Sequence, residues 1–288
     1  MRPTAEALDR HIDVLTALGP RHHTNPRAVS ATLAYVTHQL TGSGYEVGVE
    51  RYGPEPDQCN LVVELPGTEP DLRWLEVGAH WDSVAESPGA DDNASGVAGV
   101  LEVARALAPR DRPRHGVRLC VFGGEEGQRG HLGFEGSIAH LSTVDGQVEG
   151  AIILEMIGYR STEPGSQRLP DQLVGLVDAP DTGDFIAVVG NEDSADHVVA
   201  LEAAARRHVP ELKVFALVLP EMALPLVSRS DHVPYWYAGC KGVLVTDTSE
   251  YRTPHYHKPG DVLATLDLDF AAQVTAMVTA AVVELAGF

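Results

Sequence analysis

Apolar residues recur along the chain with two alternating periods. Leu8, Ile12, Leu15 and Leu18 fall at helical spacing across 5–18. Asn25-Pro26, a cap residue followed by proline, predicts a second helix that stops near Gly44. β-rich runs then occupy 45–52, 60–65, 74–79, 117–122 and 151–156, with shorter apolar runs at 185–189, 214–219 and 242–245. Helical patterns lie between and after them at 96–107, 133–141, 195–207 and 267–286. Strands alternating with helices predict an α/β sheet covered on both faces. Ligands of such sheets bind beyond the carboxyl ends of the strands. Residues 159–183 are rich in Pro, Gly, Ser and Asp and predict a long loop excursion of the kind that often serves as a functional lid. No repeat or low-complexity linker divides the chain, so residues 1–288 read as one domain.

Charge narrows the function. Forty-one acids against 21 bases give −20, which argues against binding nucleic acid or an anionic membrane surface. No stretch is expected to approach the ~20 apolar residues of a membrane span. The N-terminus is polar and has no apolar signal region, so a cytoplasmic protein is expected. Cys59, Cys120 and Cys240 are odd in number and far apart, which disfavours a disulfide scaffold or a cysteine zinc site. Cys120, inside an apolar run, reads as a small buried hydrophobe.

Thirteen histidines and the acid excess direct attention to metal ligands. His80 and Asp82 are two apart, so on an extended chain they point the same way and the carboxylate can fix the imidazole's tautomer. The run 89–96 (Gly-Ala-Asp-Asp-Asn-Ala-Ser-Gly) precedes an apolar helix. Its acids read either as a cap or turn, or as a carboxylate bridging two cations. Glu125 and Glu126 follow a buried-type strand; they are either solvated or split between metal binding and proton transfer. Pro254-His255-Tyr256-His257 offers two imidazoles and a phenol able to donate to an oxyanion.

Together these motifs resemble the di-zinc aminopeptidases of the co-catalytic metallopeptidase clan, whose fold is shared by glutaminyl cyclases. The matching elements are His80-Trp81-Asp82, Asp92 in its glycine-flanked loop, Glu125-Glu126, Glu155-Met156-Ile157-Gly158 and Tyr256-His257, spread over about residues 20–285. The resemblance implies a mixed, mostly parallel sheet and two divalent ions, zinc by the chemistry of the ligands. His80, Asp92 and Glu155 would hold one ion, and Asp92, Glu126 and His257 the other. Glu125 would be the general base, Asp82 the partner of His80, and Tyr256 the donor to the oxyanion. A cis peptide at Asp92–Asn93 is implied as well. The expected reaction is hydrolysis of the N-terminal residue of a short peptide by a hydroxide shared between the ions, in a monomeric enzyme.

One position departs from the family pattern: Glu155 stands where an aspartate is usual. It leaves open a carboxypeptidase, or an amidase acting on a modified amino acid. A single-zinc cyclase of N-terminal glutamine is a further alternative, and so is a binding module that kept the fold. His232 reads as lining the pocket or as a satisfied surface histidine, and His255 as pocket lining or structural; both are substrate-binding candidates, in a pocket whose walls are expected from 159–183 and 223–237. Ser230 or Asp231 reads as a helix cap and Tyr235-Trp236-Tyr237 as packing. His22 and His23 are assigned to a loop. Ser83 and Ser95 lack the glycine-flanked elbow of serine hydrolases.

Overall fold

The computed structural model describes residues 2–144, 146–175, 177–220, 223, 225 and 227–288. Two helices come first, α1 (Ala5–Thr16) and α2 (Pro26–Gly42). The Asn25 side chain accepts the Ala28 N–H, and Pro26 occupies the first turn, where its missing N–H leaves nothing unpaired. The strands are β1 (Gly48–Arg51), β2 (Cys59–Leu65), β3 (Trp74–His80), β4 (Val117–Phe122), β5 (Val148–Glu155), β6 (Phe185–Asn191), β7 (Lys213–Leu219) and β8 (Lys241–Thr246). The first is shorter than expected because Tyr45 still closes α2, its N–H donating to the Leu40 carbonyl.

All eight form one sheet in the order β1-β2-β4-β3-β5-β8-β6-β7. Four neighbouring pairs run parallel: β3 with β4, β3 with β5, β5 with β8, and β6 with β7. Three are antiparallel, β1 with β2, β2 with β4, and β6 with β8. Side chains alternate across the central strands. Leu119 and Val121 of β4 and Ile152 and Leu154 of β5 join the core on one face; Cys120, Phe122, Ala151 and Ile153 join the core on the other. Burial on both faces explains why these strands read as unbroken apolar runs.

The larger core is covered by α1, α2, α3 (Gly96–Leu107), α5 (Ala195–His208) and α7 (Leu268–Ala286). The opposite face carries α4 (Glu135–Thr143) and the short α6 (His232–Tyr237). By length and composition α7, at 19 residues, is apolar enough to cross a membrane, contrary to the sequence expectation. It is instead built into the core, with Phe270, Val274, Met277, Val278, Ala281 and Val282 buried.

Because β3, β4, β5 and β8 are parallel, their carboxyl ends meet along one rim. His80 pairs in register with Phe122, and Glu155 with Thr246. The loops carrying the acidic motifs therefore converge there.

Candidate active site

His80 ends β3, and its ring is flanked on both sides by carboxylates. Its Nδ1 lies 3.6 Å from Asp82 Oδ1. Its Nε2 lies 3.2 Å from Glu155 Oε2, 3.4 Å from Asp92 Oδ1 and 3.9 Å from Glu125 Oε2. The other Asp92 oxygen is 3.1 Å from His257 Nε2, which is also 3.1 Å from Glu126 Oε2. Asp92 thus stands between two imidazoles, one oxygen toward each.

Local structure explains the placement. Asp82 accepts the backbone N–H groups of both Glu125 and Glu126, each at 3.2 Å, and the Gln128 amide at 3.0 Å. It thereby fastens the β4 loop to the end of β3. The Asp92–Asn93 peptide is cis. Asn93 Oδ1 accepts from Gly96 and Met156 N–H, and its amide donates to the Leu154 carbonyl, so the Asp92 turn is tied to the end of β5. Glu155 accepts the Ser230 hydroxyl at 2.7 Å. Sequence reading left Asp91 and Asp92 open as caps. Neither caps α3; the Asp91 carboxylate accepts Gly158 N–H instead.

The donor set fits two metal ions. His80, Glu125 and Glu155 form one compact group, and Asp92, Glu126 and His257 another. Within the first, Glu125 is farther from His80 Nε2 than Asp92 and Glu155 are. Both His80 ring nitrogens and Glu126 Oε1 are buried with no hydrogen-bond partner. Leaving such groups unpaired costs about 1–3 kcal/mol each, a penalty that a bound cation removes. Burial and the charge of Asp92 push the Glu126 carboxyl up to about 7. Burial pushes Glu125 well above the usual range, and the Glu155, Glu126 and Asp231 carboxylates add to the rise. Burial disfavours the His257 cation, yet Asp92 and Glu126 raise it to about 10. Imidazole and carboxylate together suit zinc.

Several supporting residues carry no motif. Arg21 is fully buried and donates to the carbonyls of Trp81, Pro88 and Gly89 at 2.7, 2.6 and 2.8 Å, shaping the loop between His80 and Asp92. Asp261 accepts the N–H groups of Asp91 and Asp92. Only the Pro-Gly-Asp turn at 259–261 and the neighbouring His22-His23 loop hinted at these positions. His23 itself bonds Gln128, so that loop braces the site without supplying a ligand.

Beside Asp92, Glu125 and Glu155 opens a cavity of about 120 Å³. Its apolar wall includes Leu173, Phe185, Val189, Phe215, Leu217 and Leu244, and its rim includes Arg168, Arg229, Glu250 and Tyr256. The excursion 159–183 does form one wall, its ends joined by the Ser161 N–H donating to Gly183 O. Within 223–237, Val227, Arg229 and Ser230 contribute. Residues 176, 224 and 226 of these expected walls lie outside the described residues.

Four expectations are corrected. His232 does not line the cavity: it is fully buried, with Nε2 2.9 Å from the Val227 carbonyl and its ring edge-on to Trp236. His255 lies outside it too, edge-on to Tyr159. Neither Ser230 nor Asp231 caps α6, because both side chains are engaged elsewhere, with Glu155 and with Ser137. Tyr235 and Trp236 pack as expected, while Tyr237 is 88% exposed. A third cluster, Glu76, Cys120 and His140, is already satisfied, since Glu76 also binds Arg118 and the Tyr235 hydroxyl.

Such a sheet, with paired ligand sets at the ends of its parallel strands, defines a metal-dependent hydrolase. Residues 60–282 match peptidase family M28, and the chain belongs to that family. It is 34% identical over 282 residues to the uncharacterized protein YfbL of Escherichia coli K12, covering 93% of this chain and 84% of that protein. It is 30% identical over 221 residues to aminopeptidase YwaD of Bacillus subtilis, covering 75% of this chain but only 41% of YwaD. Among solved structures, an aminopeptidase from Aneurinibacillus sp. strain AM-1 superposes with a TM-score of 0.73 at 17% identity, over 99% of this chain and 95% of that one. Tannerella forsythia glutaminyl cyclase gives 0.70 at 19%, over 96% and 97%.

Proposed function

We propose that this metallopeptidase is an aminopeptidase that removes N-terminal residues with large apolar side chains from short peptides. The observation that carries the reading is Asp92 standing between two donor groups, one oxygen 3.4 Å from His80 Nε2 and the other 3.1 Å from His257 Nε2, with an apolar cavity opening directly alongside. Its likeness to YwaD supports the same class.

His80, Asp92 and Glu155 would hold one ion and Asp92, Glu126 and His257 the other. Such a pair would supply Lewis acidity toward the scissile carbonyl and the attacking water. Glu125, on the cavity wall 3.9 Å from His80 Nε2, accepts the proton of that water and returns it to the leaving amine. Asp82 keeps the His80 ring oriented. Tyr256, on the cavity rim, donates to the carbonyl oxygen as charge develops there. Glu155 lines the cavity where the substrate's ammonium group would enter. Glu155 has one methylene more than the usual aspartate, and the Ser230 hydroxyl fixes where its oxygen sits.

The test is a panel of substrates on zinc-loaded protein: leucyl and phenylalanyl peptides, their N-acetylated forms, and a glutaminyl peptide followed by ammonia release. Hydrolysis of the free apolar N-termini, with the acetylated forms inert, is expected. Equal cleavage of acetylated peptides would overturn the aminopeptidase reading. Ammonia release without peptide hydrolysis would transfer the chain to the cyclases.

A further inference from the structure

The rim of the cavity carries an arginine that the reading above does not use. Arg229 lies between two rim residues. One terminal nitrogen pairs with the Glu250 carboxylate; the other donates to the Tyr256 hydroxyl oxygen at 3.2 Å. The guanidinium carbon also lies 5.6 Å from the Tyr256 ring centroid. The opposite constraint on that ring is His257, stacked on it at 3.9 Å between centroids with 21° between planes.

A phenol has one proton to give and lone pairs that accept. Arg229 has no acceptor, so the contact can run only from guanidinium to oxygen. With its oxygen accepting from a cation, the Tyr256 O–H must point away from Arg229, and donation to a third group becomes stronger. Glu250 fixes the other end of the fork, so Arg229 is not free to follow a substrate.

We propose that Arg229 is a positioning residue for this reaction, aiming the Tyr256 hydroxyl at the developing oxyanion, with Glu250 holding Arg229 in place. The role rests on the aminopeptidase reading and extends it. It differs from a clamp on the substrate's α-carboxylate, the other use an arginine could have at this rim. A positioning residue acts only through the group it positions, so its loss matters only while Tyr256 carries a hydroxyl.

The test is a double-mutant cycle of Arg229→Met and Tyr256→Phe. Two substrates are used: leucine p-nitroanilide, which has no carboxylate, and leucyl-leucine. A parallel cycle reads the binding of the boronic-acid analogue of leucine, a tetrahedral mimic, to the zinc-loaded protein by calorimetry. Tyr256→Phe is expected to lower kcat about 100-fold, the scale of losing one oxyanion donor. Arg229→Met is expected to lower kcat about tenfold on both substrates with KM little changed, and to do nothing further in the Tyr256→Phe background. The boronate affinities should show the same non-additivity. Independent, multiplicative losses would overturn the proposal. So would a loss confined to KM for leucyl-leucine, which would make Arg229 a carboxylate clamp. If the protein cleaves no aminoacyl substrate, the aminopeptidase reading fails, and the boronate cycle alone decides the role of Arg229.

Discussion

At the scale of single residues, the proposed function divides two tasks between the adjacent glutamates. Glu126 Oε2 lies 3.1 Å from His257 Nε2, whereas Glu125, at 3.9 Å, is farther from His80 Nε2 than Asp92 and Glu155 are. Glu125→Gln should therefore lower kcat by about 10³-fold, within the range for losing a general acid–base. Zinc content should stay at the wild-type level, read by elemental analysis of the same sample; loss of zinc would make Glu125 a ligand instead. The ligand types were legible because each sits in a short local pattern, His80, Glu126 and Glu155 at or just past a strand end and Asp92 and His257 in loops. What surrounds them was not. Arg21 reaches carbonyls 60 to 68 residues away, and Asp261 reaches amides 169 and 170 residues away. No local period encodes such contacts. His232 is sealed in by its own short helix and bonded to the nearby Val227 carbonyl, a burial that the Ser-Asp-His stretch alone does not encode.

At the scale of elements, apolar periodicity served best where an element is buried deepest. The runs at 117–122 and 96–107 coincide with β4 and α3. The pattern was least informative where chain geometry depends on partners elsewhere, as at 159–183, whose course follows backbone bonds to Gly183 and Tyr251. Helix α3 is also tied to α1 by a buried acid. Burial raises the Glu102 carboxyl, but bonds from Arg105 at 2.7 and 2.6 Å and from His11 outweigh it, leaving about 2. A carboxyl whose folded value is depressed from 4.5 to about 2 stabilises the fold above pH 4.5. That contribution is lost as pH falls from about 4.5 through 2. Urea unfolding should show Glu102→Gln less stable than wild type by about 2 kcal/mol at pH 6, with the gap closing toward pH 2. A gap independent of pH would show that packing, not charge, sets the value.

At the scale of the whole molecule, the −20 net charge separates into a solvated surface and acids withdrawn from solvent, among them the cluster at the sheet's rim. Asp82, Asp92, Glu125, Glu126 and Glu155 lie on or beside three parallel strand ends, where burial and neighbouring carboxylates raise the proton affinity of Glu125 and Glu126. The doubly covered sheet explains how they are held there: it is rigid, and parallel pairing brings loops distant in sequence to one rim. The central proposal is that this rim binds two ions sharing Asp92, whose oxygens face His80 and His257. Counting zinc per chain after dialysis against a metal-buffered solution tests it most directly. Two ions per wild-type chain, falling below one in Asp92→Ala, is the expected result. One ion per wild-type chain, or two retained in Asp92→Ala, would contradict it.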